Sequence, residues 1–390
     1  MMKYNVFIIL VLLIFTACKP SLQKEMMKPL SEVDIYAAYP EKQMDIQQWA
    51  EVDYLPLSKK SFFSKGYNGC FMGTITEDWI VAYTLNGDVQ VFDYSGKMRH
   101  TFNHKGMEEE QYGHIYSLSF DKFREEIWIK DTPNRFKVFT LDGMFKRAVL
   151  LPEGLNAKDC RNYSSDSLVC YDDYRVEEGL NKNVHPFYFF SKKDEKIHKL
   201  ASVNTRNRIN NSECMRFNLG GRSQTLSYIL TTATLFVCKG RAVMADYAQD
   251  TIFCYAEGRT IPLLVRTPSV YTSLPFVLST IDFMTSRFLF FGFVEKSSSS
   301  EKFHRSLLYD FETGNLSCYQ LYNSDFSSSL SVDVSVGASA YPDNWLVNEI
   351  SAESFLQYHR EGKLKGKAAD AAGNIKDTDT CILVFYKFRD

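Results

Sequence analysis

One arrangement of short strands and turns recurs along this chain, and a repeat of that length leaves few folds open. In WIVAYTLNGDVQVFDYSGKMRHTF, Trp79 to Phe102, two apolar runs, Trp79–Thr84 and Val89–Asp93, are joined through Asn86-Gly87. A second turn at Tyr94-Ser95-Gly96 leads into a third strand. Asn-Gly between alternating runs is a strong hairpin signal, because both residues tolerate the positive φ of a tight turn. The stretch EIWIKDTPNRFKVFTLDGMFKRAVL, Glu126 to Leu150, repeats the layout about 48 residues later, with turns at Asp131-Thr132-Pro133-Asn134 and Asp142-Gly143. Weaker copies follow at Ser167–Ser202, Thr234–Val265 and Arg287–Leu321. Such a unit cannot bury both of its faces alone, so neighbours must stack, and propeller blades have periods in this range.

The tail TCILVFYKF, Thr380 to Phe388, is a strand with no later partner in sequence. A ring solves this, because closing it removes the exposed sheet edge. The N-terminal partner expected for the tail is AEVDYLPLS, Ala50 to Ser58. Five units plus one shared closing blade give an all-β, six-bladed propeller. The 30 Phe and 23 Tyr fit that reading, since aromatic side chains suit a half-buried pleated surface. A chain of 390 residues would ordinarily divide into two or three domains, but closed β architectures run longer as one. The propeller is therefore expected over 46–390.

The stretches EIWIKDTPNRFKVFTLDGMFK, ADYAQDTIFCYAEGRTIPLLV, RSLLYDFETGNL and DTDTCILVFYKF resemble the TolB-like six-bladed β-propeller lipoproteins of Bacteroides-type bacteria. The likeness spans nearly the whole mature chain and implies fold and location more than activity. Those proteins usually carry a GxGPGEY-like stretch between their first blades. Here KGMEEEQYGH keeps Gly106, Gln111 and Tyr112 but places Glu108-Glu109-Glu110 at the Gly-Pro-Gly core, which implies a more acidic loop.

At the N-terminus, Lys3 precedes an apolar run from Val6 to Phe15, then small residues Thr16 and Ala17, then Cys18. Ten apolar residues are too few to span a bilayer, which takes roughly 20, but suit an export signal. Phe15-Thr16-Ala17-Cys18 resembles the bacterial lipoprotein box, which implies lipidation at Cys18 and cleavage before it. Residues 1–17 are then a signal peptide, and 18–45, with three prolines and many charges, a tether. Two or more acyl chains hold a protein stably to a membrane. The lack of Asp directly after Cys18 favours the outer membrane over the inner.

The formal net charge is −2 and no Lys/Arg block forms a stripe, so nucleic acid is not an expected partner. Nucleophile-elbow, zincin and phosphate-loop motifs are absent from the sequence. The expected role is a binding or scaffolding module for a protein or glycan, without a cofactor. The alternative is a lactonase- or lyase-like enzyme with a divalent cation, such as Ca²⁺, in the axial channel. Binding-face candidates are Glu108, Glu109, Glu110 and Tyr112 on one loop, Asp131 and Asn134 in a turn of the second repeat, and Asp246 and Asp250 in a later one. Clustered carboxylates suit a hard cation, yet Asp and Asn also cap turns through their own backbone. The aromatic runs Pro186–Phe190 and Phe288–Phe293 read as strands buried between blades rather than as sugar platforms. The cysteines after Cys18 read as small buried hydrophobes, with one or two disulfides open to an exported protein.

Overall fold

The computed structural model describes residues 31–58, 70–173, 185–205, 208–209, 212–219, 222–229, 233–272, 274–297, 299, 301–335, 341–376 and 379–390. They form a six-bladed β-propeller. Blade 1 holds Cys70–Ile75, Trp79–Thr84, Asp88–Asp93 and Met98–Asn103, and blade 2 holds Ser117–Asp121, Glu126–Thr132, Arg135–Thr140 and Phe145–Leu150. Blade 3 comprises Asp159–Asn162, Ser167–Tyr171, Phe187–Ser191 and Ile197–Leu200. Blade 4 follows with Leu235–Cys238, Arg241–Met244, Thr251–Ala256 and Arg259–Thr267, and blade 5 with Val277–Met284, Phe288–Glu295, His304–Asp310 and Leu316–Asn323. A hairpin, Ser212–Leu219 with Arg222–Ile229, is inserted between blades 3 and 4.

The turn glycines follow from sterics. Gly87 and Gly143 sit at φ 93° and 90°, where an L side chain is strained. An added Cβ at Gly143 would also lie 2.6 Å from the Phe102 ring.

The ring closes as the sequence requires. Asp379–Phe388 lies between Trp345–Ser351 and Ala50–Ser58, with Val384 opposite Tyr54 and Phe388 opposite Ala50. The apolar core is a set of layers between blades. Val81 and Val91 meet Ile127 and Phe139, Trp128 and Val138 meet Tyr188 and Phe190, and Ile80 and Phe92 meet Leu383 and Phe385. Successive residues of one strand thus serve opposite layers, as the period of two demands. Phe187 to Phe190 and Phe288 to Phe293 are buried in these layers, as strand residues.

One expectation changes. Within 18–45, residues 31–45 belong to the fold: Ser31–Asp34 pairs in parallel with Arg259–Thr267, and Glu41–Asp45 with Leu316–Asn323. The chain straps the outer edges of blades 4 and 5 before entering the closing blade, so the folded part begins by Ser31 rather than at 46. Two helices follow Trp345–Ser351. Helix α1, Ala352–Arg360, is capped by Ser351, whose hydroxyl accepts from the Ser354 N–H at 3.1 Å. Helix α2, Gly366–Ala372, follows, and Lys367 reaches Glu51 and Asp53 on Ala50–Ser58 at 3.0 and 2.8 Å. Phe355 and Ala368 pack with Phe326 and Ile382, so the insert braces the closure.

Asp282, at a bulge in the first strand of blade 5, gives the fold a pH dependence. Burial pushes its carboxyl up to about 7, against a lowering hydrogen bond from Thr280. Below its ordinary value of 3.8 both folded and unfolded states hold the proton. As pH rises from there to about 7 the unfolded state ionises first, so stability falls through that window. Asp282→Asn should remove this slope and stabilise the protein at pH 8 by about 1–3 kcal/mol. Denaturant titrations at pH 4.5 and 8 test it, and an unchanged difference between the two pH values would refute the assignment.

Candidate functional site

Strand direction alternates within each blade. Turns after the first and third strands therefore share one face, here the turn face, while second-to-third turns and blade crossovers share the other, the crossover face. First strands of blades 1 to 5 neighbour one another in order around the axis. Where they end, at the turn face, lies a cavity of about 330 Å³. Its walls come from the first turns of blades 1 to 4, Thr76 and Glu77, Lys122 and Phe123, Tyr163 and Ser164, and Gly240, and from Pro342 and Asp343 just ahead of the closing blade's Trp345–Ser351. Phe120, Phe236, Tyr341 and Trp345 add aromatic surface.

These turns hold one another around the opening. Lys122 pairs with Glu77 at 2.9 Å, joining blades 1 and 2. Asn162 Nδ2 donates to the Phe120 carbonyl at 2.9 Å, Tyr163 Oη to the Gly240 carbonyl at 2.9 Å, and Arg241 to the Ser286 carbonyl at 2.9 Å. Asn344, at φ 65°, accepts from the Ser286 N–H at 2.6 Å and donates to Asp390 at 2.8 Å. Tyr94 completes the circuit: its hydroxyl donates to the Thr76 carbonyl at 2.5 Å and its ring meets Trp345 edge-on at 6.0 Å. A site held this way binds with little loss of freedom. Arg161, also in the wall, pairs with Asp159 at 3.1 Å and lies 6.0 Å from the Phe236 ring centre. Burial drives the Asp159 carboxyl upward, with Arg161 opposing it.

The residues proposed from sequence lie on the crossover face instead. Glu108, Glu109 and Glu110 are exposed, and their loop is fixed through backbone groups: Gln111 N–H donates to the Glu108 carbonyl at 3.0 Å, and Lys137 Nζ to that of Glu109. Tyr112 is not at a surface. It is buried, donating to the Gly87 carbonyl at 2.6 Å and accepting from the His104 N–H at 3.0 Å, and burial pushes its hydroxyl up to about 12. Asp131 is likewise buried and held bidentately by Arg135 at 2.5 and 2.9 Å. Asn134 is exposed at the turn, accepting from Thr132 at 3.2 Å. Asp246 is buried against Arg208 and Tyr171 at 3.1 and 3.2 Å, and burial raises its carboxyl despite the guanidinium. Asp250 accepts from the Val270 N–H at 2.7 Å. Tyr112, Asp131 and Asp246 are thus structural anchors, a correction to their expected role, and the eight do not converge on one point. Cys18 lies outside the described residues. The cation alternative needs at least three ligating side chains together, and among the described residues no group of three His, Cys, Asp or Glu is so placed.

A protein-family profile described as a 6-bladed beta-propeller, DUF5128, matches residues 23–346. The chain belongs to this family. The match stops short of the closing strand, which the structure supplies. Among solved structures, one of a Bacteroides fragilis protein assigned as exported is similar at 13% identity and TM-score 0.58, covering 93% of this chain and 100% of that one. The Neurospora crassa Pan2 WD40 domain is similar at 8% identity and TM-score 0.39, covering 89% and 98%. Virginiamycin B lyase of Staphylococcus aureus is similar at 11% and 0.34, covering 68% and 97%. The first likeness speaks to fold alone, and the other two carry no argument. No curated protein matches the chain.

Proposed function

We propose that this propeller is an exported, lipid-anchored binding module that seats the end of a glycan in its axial cavity. The observation that carries the reading is the cavity wall, where Phe123, Tyr163, Tyr341 and Trp345 alternate with Glu77, Ser164 and Asp343. A sugar ring has an apolar C–H face and a rim of hydroxyls, and this wall offers both an aromatic surface and hydrogen-bonding partners. The volume falls at the low end of ordinary ligand sites, roughly 300–1,000 Å³, so it suits a terminal group rather than a long chain. The signal run before Cys18 and the likeness to TolB-like lipoproteins support anchoring at the outer membrane.

Phe123 is 62% exposed at the rim and is the cleanest probe. Phe123→Ala should weaken glycan affinity about tenfold, a loss of about 1.4 kcal/mol, without lowering the melting temperature. Glycan-array binding followed by calorimetry on the best hit reads this out. An array with no specific hit, or a hit indifferent to Phe123→Ala, would end the glycan reading. Separately, Cys18→Ala should move the protein from the detergent phase to the aqueous phase, and a variant still in the detergent phase would exclude the lipid anchor.

A further inference from the structure

Blade 3 sets two cysteines opposite each other. In the antiparallel pairing of Asp159–Asn162 with Ser167–Tyr171, Cys160 faces Cys170 directly. The Tyr163 N–H donates to the Ser167 carbonyl at 2.9 Å, which marks 163/167 as a hydrogen-bonded pair. Alternation then makes 161/169 hydrogen-bonded and 160/170 a non-hydrogen-bonded pair. At such sites the Cα atoms approach to about 4.5 Å and the side chains share a face, within the roughly 4.4–6.8 Å that a disulfide spans. Both side chains sit in the layer between blades 2 and 3, and the Cys160 thiol contacts that of Cys170. In backbone register, Cys238 is opposite Arg241, Cys254 opposite Val243, Cys318 opposite Glu41 and Cys381 opposite Ser351, none of them a cysteine.

We infer that Cys160 and Cys170 form a cross-strand disulfide in the folded protein, stapling the hairpin whose tip, Asn162 to Ser164, forms one wall of the axial cavity. Cys170 is buried and Cys160 half-buried, so an external disulfide reaches Cys160 first. The Cys160 thiolate attacks that disulfide, forming a mixed disulfide and expelling one thiolate. The Cys170 thiolate then attacks the Cys160 sulfur and expels the second. Both cysteine thiols lose their protons, two electrons pass to the oxidant, and the oxidant leaves as two thiols. An oxidoreductase disulfide of an exporting compartment, which leaves as its dithiol, or oxidised glutathione in solution, supplies that disulfide.

The test uses the detergent-solubilised full chain equilibrated with oxidised or with reduced glutathione, quenched by a thiol alkylator and digested without reductant. The expected product of oxidation is a joined pair of peptides carrying Cys160 and Cys170, lighter by two hydrogens than the reduced pair. The oxidised protein should also melt at a higher temperature. In Cys170→Ser and Cys160→Ser alike, the remaining cysteine should be found as a glutathione adduct or alkylated, with no joined pair. Alkylation of both thiols in the oxidised wild type after denaturation, or a bridge from Cys160 to another cysteine, would overturn the inference. The outcome does not depend on export or on glycan binding, so either reading can fail without the other.

Discussion

Removing Asp379–Asp390 should abolish cooperative melting of the ring. The deleted strand is the middle of the closing blade, paired on both sides, and Cys381 through Tyr386 are all buried. Fully burying one large apolar side chain contributes about 1.5–3 kcal/mol, so losing several exceeds the ~5–15 kcal/mol by which a domain is stable. Asp390 goes too, and with it the contacts to Lys239, Ser286 and Asn344 that tie blades 4 and 5 to the closing blade at the turn face. The exposed edges of Trp345–Ser351 and Ala50–Ser58 would then invite association between chains. Calorimetry and limited proteolysis measure this. A truncated chain with the full-length melting transition would show that the ring does not depend on its closing strand.

How legible the molecule was depends on how much each element buries. The closing pair could be read because Asp379–Phe388 carries a long apolar stretch that must be paired, and Ala50–Ser58 offers it a flanking strand. The strap could not. Ser31–Asp34 buries only Val33, and Glu41–Asp45 only Met44, so an outer strand held by backbone pairing leaves almost no hydrophobic period. Helix α2, GKAADAA, was obscured in a similar way, since its buried side chains are the alanines Ala368 and Ala372. Asp131 lies near the end of the strand Glu126–Thr132 rather than in the turn expected from sequence, and its side chain is taken by Arg135 four residues on, across the hairpin. The cavity is hidden in the sequence because its walls are a few residues from each of five separate segments, spread from Thr74 to Trp345. Nothing local marks Phe123 or Tyr163. Aligning the repeats and asking which positions follow each first strand is the signal that would have found them.

Asp121→Ala should destabilise the protein by ~3–5 kcal/mol, the cost of leaving a charge buried without its partner. Asp121 ends the first strand of blade 2, and Lys192 follows the third strand of blade 3; their side chains are 1% and 0% exposed and meet at 2.7 Å. Asp121 also accepts from Arg124 at 3.1 Å and from the Phe123 N–H at 3.0 Å. Without the carboxylate, Lys192 retains Asn162 Oδ1 at 3.2 Å, a neutral acceptor that cannot offset the desolvation of an ammonium. Burial already lowers the Lys192 pKa against the pull of Asp121, so losing Asp121 should drive that lysine toward its neutral form. Glu77→Ala provides the contrast: the Glu77–Lys122 pair joins blades 1 and 2 at a similar distance, yet its side chains are 51% and 45% exposed. That pair should contribute less than about 1 kcal/mol. The double variant Asp121→Leu with Lys192→Met should recover most of the lost stability, because a buried pair replaced by apolar groups costs little. Urea titrations of the four proteins decide it. Equal losses for Asp121→Ala and Glu77→Ala would mean that burial does not set the worth of these contacts. The same buried pair holds Asn162 beside Phe120 and Phe123, so its loss should loosen the cavity wall as well as the blade junction.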